Sequence, residues 1–128
     1  MNAHIPRRLL LTSLAAAALL AAVLAAPPAR SASFSTCRLS AAEQQPRGGK
    51  PTYNLKLTAR GTSCRTARRV MSGYHGCRPK GSLRCAKRVL RRWRCSARKD
   101  SSTSVAFYAT FTCTAGSAAV KGVYQQNT

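Results

Sequence analysis

The chain has 128 residues, of which twenty-two are lysine or arginine and two, Glu43 and Asp100, are acidic, so its formal net charge is +20. One glutamate and one aspartate argue against a carboxylate-pair glycosidase, which would need both of them in one site, and against an aspartic protease, which needs two aspartates. They also argue against an EF-hand or a carboxylate-bound Ca²⁺ or Mg²⁺ site. The length allows one small domain, and the composition alone names no specific activity.

Residues 1–33 have the pattern of a secretory signal peptide. Arg7 and Arg8 precede an apolar run over residues 9–26, and small residues follow it. Cleavage after Ala25 and cleavage after Ser33 both fit this pattern. An uncleaved membrane anchor is the alternative, because this mostly apolar run of eighteen residues is just long enough to span a bilayer. We predict cleavage, secretion and a mature chain without an integral membrane segment.

An even number of cysteines in a small exported domain is typical of a disulfide framework, in which each bridge contributes about 2–4 kcal/mol. The mature chain contains all six cysteines, namely Cys37, Cys64, Cys77, Cys85, Cys95 and Cys113. We predict a local Cys77–Cys85 bridge. Cys64 is expected to pair with a sheet cysteine, Cys95 or Cys113, and Cys37 with the one left over. Because the sequence contains no Cys-x-x-Cys pair, we predict no metal site, no redox-active dithiol and no cofactor.

The first part of the mature chain is expected to contain one strand and one helix. Residues 34–51 lack apolar periodicity and are predicted to be an irregular lead-in to a small domain over residues 52–128. Residues 53–60 alternate apolar and polar side chains, which predicts a half-buried strand. Ser63 is a suitable N-cap for a helix of about eleven residues that ends near Gly76. Its apolar stripe consists of Cys64, Ala67, Val70, Met71 and Tyr74.

The second part of the domain is expected to form the rest of an antiparallel sheet. Residues 86–98 fit either a helix or a strand, and residues 98–103 read as a polar turn. A strand over residues 105–113 would direct Phe107 and Phe111 into the core, and residues 118–124 would complete a hairpin. The sequence therefore predicts an α+β fold, with one amphipathic helix on an antiparallel sheet of three to four strands held by disulfides.

Several short motifs resemble a loose class of small exported actinobacterial proteins. The motifs are Gly61-Thr-Ser-Cys64 with Ala67-Arg-Arg-Val70, Trp93-Arg-Cys95, Phe111-Thr-Cys113 and a final strand ending in Tyr124-Gln-Gln126. The resemblance covers about residues 53–126 and implies that residues 93–98 form a strand. It brings no assigned activity and no catalytic residues.

Little catalytic chemistry is available to the mature chain. His75 is its single histidine, and we interpret it as stabilising the last turn of the helix, where a charged imidazole gains from the helix dipole. The alternative is a small ribonuclease-like hydrolase with Glu43 as base, His75 as acid and an arginine that holds phosphate. We predict that the protein is not an enzyme.

The basic residues are the second functional signal, because fourteen of them and no acidic residue lie between Arg60 and Lys99. A continuous positive surface attracts polyanions. We predict that such a surface is formed by Arg65, Arg68, Arg69, Lys87, Arg88, Arg91, Arg92 and Arg94. Tyr74 and Trp93 are expected in the core rather than as stacking platforms.

The functional prediction is a secreted cationic module that binds without catalysis. Its expected partners are anionic polymers or lipid headgroups of the cell envelope, or extracellular nucleic acid. The alternative is a secreted inhibitor or toxin-like effector, in which the loop between Cys77 and Cys85 presents Arg78, Lys80 or Arg84 to an acidic pocket of its target.

Overall fold

The computed structural model describes residues 32–45, 52–79 and 82–128. The apolar run and the three basic residues of the predicted signal peptide (Arg7, Arg8 and Arg30), with its Ala25 cleavage site, therefore lie outside the described residues. The elements, in chain order, are β1 (Ser35–Thr36), α1 (Ala41–Gln44), β2 (Thr52–Arg60), α2 (Cys64–Cys77), β3 (Arg94–Ser102), β4 (Ala106–Ala115) and β5 (Ala118–Asn127). Of the helices in these ranges, none is long and apolar enough to cross a membrane.

Within the described residues, the five strands form one antiparallel sheet in the order β1-β2-β5-β4-β3. Helix α2 packs on one face of this sheet. The predicted α+β class is confirmed, although the sheet has one strand more than the three to four expected. The extra strand is β1, whose two residues pair with Thr58 and Ala59 of β2.

The lead-in differs from the irregular segment that the sequence predicts, because its described part has local structure. Ser40 caps α1, and its side chain accepts a hydrogen bond from the backbone N–H of Glu43, whose own carboxylate accepts from the backbone N–H of Ser40. This reciprocal pair is a capping box. The backbone N–H of Cys37 donates to the carbonyl of Leu57 at 2.8 Å, so the lead-in extends the sheet edge. Residues 46–51 lie outside the described residues.

Helix α2 begins as the sequence predicts, since the Ser63 side chain accepts from the backbone N–H of Thr66. It ends at Cys77, one residue after Gly76, and has 14 residues instead of about eleven. The backbone N–H of Arg78 donates to the carbonyl of Tyr74 at 3.3 Å. Four of the five residues of the predicted apolar stripe are buried, namely Ala67, Val70, Met71 and Tyr74. The fifth, Cys64, is half-buried at the start of the helix.

Aromatic packing joins α2 to the sheet. The Tyr74 ring stacks on Phe111 of β4 with 4.7 Å between centroids. The Tyr74 hydroxyl donates to the Leu83 carbonyl at 2.9 Å, and Tyr124 supplies a further hydroxyl contact at 3.3 Å. Burial raises the pKa of Tyr74. Tyr74 and Trp93 lie in the core, as predicted, and so do Phe107 and Phe111.

The ambiguous stretch over residues 86–98 contains a tight turn followed by a strand. Val89 and Trp93 exchange both backbone hydrogen bonds at 2.9 Å, and Leu90 and Arg91 between them adopt positive φ angles. Strand β3 begins at Arg94, so the strand alternative is confirmed. The turn packs against α2 at Gly73, where an added Cβ would lie 2.6 Å from a Val89 methyl carbon.

The predicted polar turn over residues 98–103 is wrong, because β3 continues to Ser102. Its register shifts between Lys99 and Ser101, and this irregularity lets the strand carry polar residues past Asp100. The turn comes later, where the Thr103 backbone N–H donates to the Ala106 carbonyl at 2.7 Å. Val105 therefore precedes β4 and is 67% exposed instead of facing the core.

The described residues contain three disulfides, Cys37–Cys64, Cys77–Cys85 and Cys95–Cys113. The predicted Cys77–Cys85 bridge is confirmed, and the predicted pairing of Cys64 with a sheet cysteine is wrong. Cys95 and Cys113 lie directly opposite each other on β3 and β4 and form a disulfide, so neither is available to Cys64. Cys37 follows β1 and thereby reaches Cys64 at the start of α2.

Removal of the Cys37–Cys64 bridge by the double substitution Cys37→Ser and Cys64→Ser should destabilise the fold by about 3.5 kcal/mol, because the bridge closes a loop with a sequence separation of 27. The matched control removes Cys77–Cys85, whose separation is 8, and should cost about 2.5 kcal/mol. Urea unfolding of the three proteins measures both differences. A larger loss from the short loop would contradict the loop-closure explanation.

Gly122 of β5 lies beneath the Phe111 ring, and a Cβ added at Gly122 would overlap two ring carbons. Because Phe111 is fully buried, the ring has little room to move, and Gly122→Ala should destabilise the fold by about 1–3 kcal/mol. Gly76→Ala is the control, since a Cβ there meets no atom within 4 Å. Thermal unfolding should show a lower midpoint for Gly122→Ala and an unchanged or higher midpoint for Gly76→Ala.

Candidate functional site

The eight residues predicted to bind polyanions do not share one surface. Arg65 and Arg69 are exposed and lie one helical turn apart on α2. Four others are exposed on the segment over residues 84–92, which packs beside that side of the helix at Gly73; they are Lys87, Arg88, Arg91 and Arg92. These six residues form what we call the helix-turn surface.

The remaining two predicted residues, Arg68 and Arg94, lie elsewhere. The Arg68 guanidinium donates to the Arg38 carbonyl at 2.7 Å, and its Nε lies 3.3 Å from a Glu43 carboxylate oxygen. Arg94 precedes Cys95, whose partner Cys113 is fully buried on the face that α2 covers. Because side chains alternate along a strand, Arg94 lies on the opposite face of the sheet.

Both carboxylates of the described residues are already paired. Glu43 contacts Arg68, and an Asp100 oxygen lies 3.0 Å from the Nε of Arg98. The Ser40 backbone N–H lowers the pKa of Glu43, with help from the Ser40 hydroxyl and the Arg68 charge. Within the described ranges no further lysine or arginine forms an ion pair, so their positive charge faces solvent or neutral groups.

A cleft of about 550 Å³ lies between α1, β2 and α2, and its lining includes Glu43, His75 and Arg78. These residues are the ones that the hydrolase alternative would need. Asn54 connects Glu43 to His75. The side-chain amide of Asn54 donates to the backbone carbonyl of Glu43 at 2.8 Å and offers its oxygen to His75 Nε2 at 2.7 Å.

His75 is buried in the last turn of α2, where the sequence analysis places it. Its Nδ1 lies 3.1 Å from the Nε of Arg78, and an arginine N–H can only donate, so Nδ1 accepts in this contact. The Nε2 atom lies 2.7 Å from the side-chain oxygen of Asn54. These contacts connect the end of α2 to β2.

Arg78 is a buried structural cation, with a relative exposure of 4%. Besides His75, it donates to the Ser82 carbonyl at 3.1 Å, to Gln126 Oε1 at 2.5 Å and to Thr52 Oγ1 at 3.1 Å. Its guanidinium also lies 4.7 Å from the centroid of the Tyr124 ring. The prediction that Arg78 is presented to a target is therefore wrong. Arg84 is exposed, and Lys80 lies outside the described residues.

The face of the sheet opposite α2 carries the other concentration of basic side chains. Residues that alternate with the buried core positions point to this face, and in the described part of the chain no helix covers it. We call it the outer face. Its basic members are Lys56, Arg60, Arg94, Arg98 and Lys121.

The outer face also holds the exposed aromatic side chains. Among the described residues, three aromatic side chains are exposed: Phe34, Tyr53 and Tyr108, at 42%, 38% and 38%. Tyr53 of β2 and Tyr108 of β4 are the cross-strand neighbours of Gln125 in β5, which lies between these two strands. Phe34 precedes β1, and the Arg60 guanidinium lies 5.0 Å from its ring centroid.

None of these three aromatic residues was predicted as functional. Tyr108 falls out of phase with the apolar positions of its strand. Tyr53 is in phase with Leu55 and Leu57 in the sequence, so the alternation predicts it in the core, but the register of β2 shifts between Asn54 and Lys56 and leaves Tyr53 and Leu55 exposed.

Comparison with known protein families, with curated proteins and with solved structures finds no significant match.

Arg78→Lys should destabilise the fold by about 2–4 kcal/mol, because an ammonium group cannot reach all four acceptors and leaves some of them buried without a donor. Arg84→Lys makes the same chemical change at an exposed position and should shift stability by less than about 0.5 kcal/mol. Urea denaturation measures both changes. Equal stabilities for the two variants would show that the Arg78 network contributes nothing specific to arginine.

Proposed function

We propose that this protein is a secreted, non-enzymatic, disulfide-bonded module that binds anionic polymers through its unpaired basic side chains. The observation that carries the proposal is the pairing of Glu43 with Arg68 and of Asp100 with Arg98. The helix-turn surface and most of the outer face are thereby left with basic groups that no carboxylate opposes. Such surfaces attract polyanions by Coulomb steering and by release of the polymer's counterions.

The disulfides support the proposed location. Three bridges in a small domain indicate an oxidising, extracytoplasmic environment. Secretion by a cleaved signal peptide over residues 1–33 is part of the proposal, and so is membership of the loose class of small exported proteins that the motifs resemble. Anionic polymers of the cell envelope, acidic lipid headgroups and extracellular nucleic acid are the polyanions that such a protein meets.

The number of basic groups on one surface sets the expected salt dependence. The outer face has five basic side chains, and a single-stranded polyanion that contacts all five gives a log–log salt slope of about −3.5. Affinity should then fall by about a hundredfold between about 50 and 200 mM salt. A shape-matched inhibitor that recognises a folded target should keep most of its affinity over the same range.

Binding of sodium polyphosphate by the mature chain should be measurable by titration calorimetry at about 50 mM sodium chloride, and it should weaken steeply up to about 200 mM. Neutral dextran of similar length is the control and should not bind. Absence of polyphosphate binding at the lower salt concentration would refute the proposed function. Binding that does not depend on salt would favour the inhibitor alternative.

A further inference from the structure

The exposed aromatic side chains of the described residues are confined to the outer face. The five aromatic side chains that face the core are buried, and they are Tyr74, Trp93, Phe107, Phe111 and Tyr124. The three that are exposed in the described residues all lie on the outer face, among its basic side chains. An exposed aromatic ring on a polar sheet offers a flat surface on which another ring can stack.

The strand registers place these groups in parallel rows across the sheet. One row contains Arg60, Ala119, Thr114 and Arg94, with Phe34 beside Arg60 at its end. The second row contains Lys121, and the third row contains Lys56 and Arg98. The last row contains Tyr53, Gln125 and Tyr108.

The regular spacing of a β-sheet gives the approximate distances between these residues and between these rows. Tyr53 and Tyr108 are two strands apart, which separates their backbones by about 10 Å. The first and last rows are six residues apart along β5, which is about 20 Å. The aromatic row therefore lies at one end of a basic area that is long enough to contact several repeats of an extended polymer.

We propose that the outer face binds single-stranded nucleic acid, with bases stacked on Tyr53 and Tyr108 and phosphates contacted by Lys56, Arg98 and Lys121. This inference rests on the proposed binding of polyanions and names the class of polymer. Single-stranded nucleic acid supplies one negative charge and one planar ring in every repeat. Both groups have complementary partners on this face.

Two features favour a single-stranded nucleic acid over other polyanions. A duplex hides the faces of its bases in its own stack, whereas the unstacked bases of a single strand are free to pack on tyrosine. Polymers without rings, such as polyphosphate, would use the cations and leave the aromatic row unused. Gln125 lies half-buried between the two tyrosines, and its amide nitrogen donates to the Asn127 side chain at 3.1 Å.

The one acidic residue near these groups does not oppose the ligand strongly. Asp100 contacts Arg98, and it also accepts a hydrogen bond from the Thr110 hydroxyl at 2.6 Å. The Arg98 side chain itself is 81% exposed, so its guanidinium remains accessible to a phosphate. Lys56 and Lys121 are exposed and have no carboxylate partner among the described residues.

The test compares two strands of equal charge. Fluorescence anisotropy at about 50 mM salt would measure binding of a labelled oligothymidylate of about twelve nucleotides and of an abasic deoxyribose-phosphate strand of the same length. The oligothymidylate should bind at least tenfold more tightly, because base stacking on aromatic side chains adds to the phosphate contacts. Tyr53→Ala and Tyr108→Ala should each weaken oligothymidylate binding about tenfold and leave abasic binding unchanged.

Control variants distinguish a loss of base stacking from a loss of folding and from a loss of positive charge. Tyr53→Phe and Tyr108→Phe retain the rings and should keep most of the affinity. Circular dichroism should show that all tyrosine variants are folded. The combined Arg88→Gln, Arg91→Gln and Arg92→Gln variant, on the helix-turn surface, should reduce binding of both strands by a similar factor.

The outcomes distinguish this inference from the proposed function. Equal affinities for the two strands would overturn base stacking and leave polyanion binding standing. Absence of binding to either strand and to polyphosphate would refute the proposed function itself. Unchanged oligothymidylate binding in both folded alanine variants, with complete loss in the helix-turn variant, would move the site to the other surface and overturn the inference.

Discussion

The packing of α2 against a single face of the sheet determines the rest of the architecture. Tyr74 stacks on Phe111, and Gly122 provides the space beneath that ring. Because the described residues contain one long helix, one layer of side chains is buried and the opposite layer remains in water. The alternation of β2, β4 and β5 then presents polar, basic and aromatic groups on the outer face. The functional proposal depends on this division between a covered and an uncovered face.

The excess of basic over acidic residues affects both the contacts of the buried Arg78 and the role of the disulfides. The two acidic side chains of the chain are paired with Arg68 and Arg98. The buried Arg78 instead contacts an imidazole, a hydroxyl, an amide and a carbonyl, together with the Tyr124 ring. These partners join the end of α2 to β2 and β5. The disulfides act against the self-repulsion of the same charge, since they lower the entropy of the unfolded chain.

Local periodicity was sufficient to predict the main elements but not their long-range partners. The stripe from Ala67 to Tyr74 and the alternation around Phe111 are properties of single segments, so the helix, the main strands and much of the core were predictable. The pairing of Cys37 with Cys64 and the burial of Arg78 depend on residues distant in sequence. The extension of β3 past Asp100 depends on a register shift in its hairpin with β4, which no local pattern indicates. The outer face is an intermediate case. The exposure of Tyr108 follows from its phase in β4, whereas that of Tyr53 depends on the register shift in β2. The proximity of the two rings depends on the pairing of both strands with β5.

The most direct test of the account is amide chemical-shift mapping by NMR of the mature chain titrated with unlabelled oligothymidylate. The account predicts that the largest shifts occur at outer-face positions of β2, β4 and β5, including Tyr53, Tyr108, Lys121 and Gln125. Amides of the helix-turn surface should shift little at about 150 mM salt. Shifts concentrated at Arg65, Arg69 and residues 84–92, with an unchanged outer face, would contradict the account.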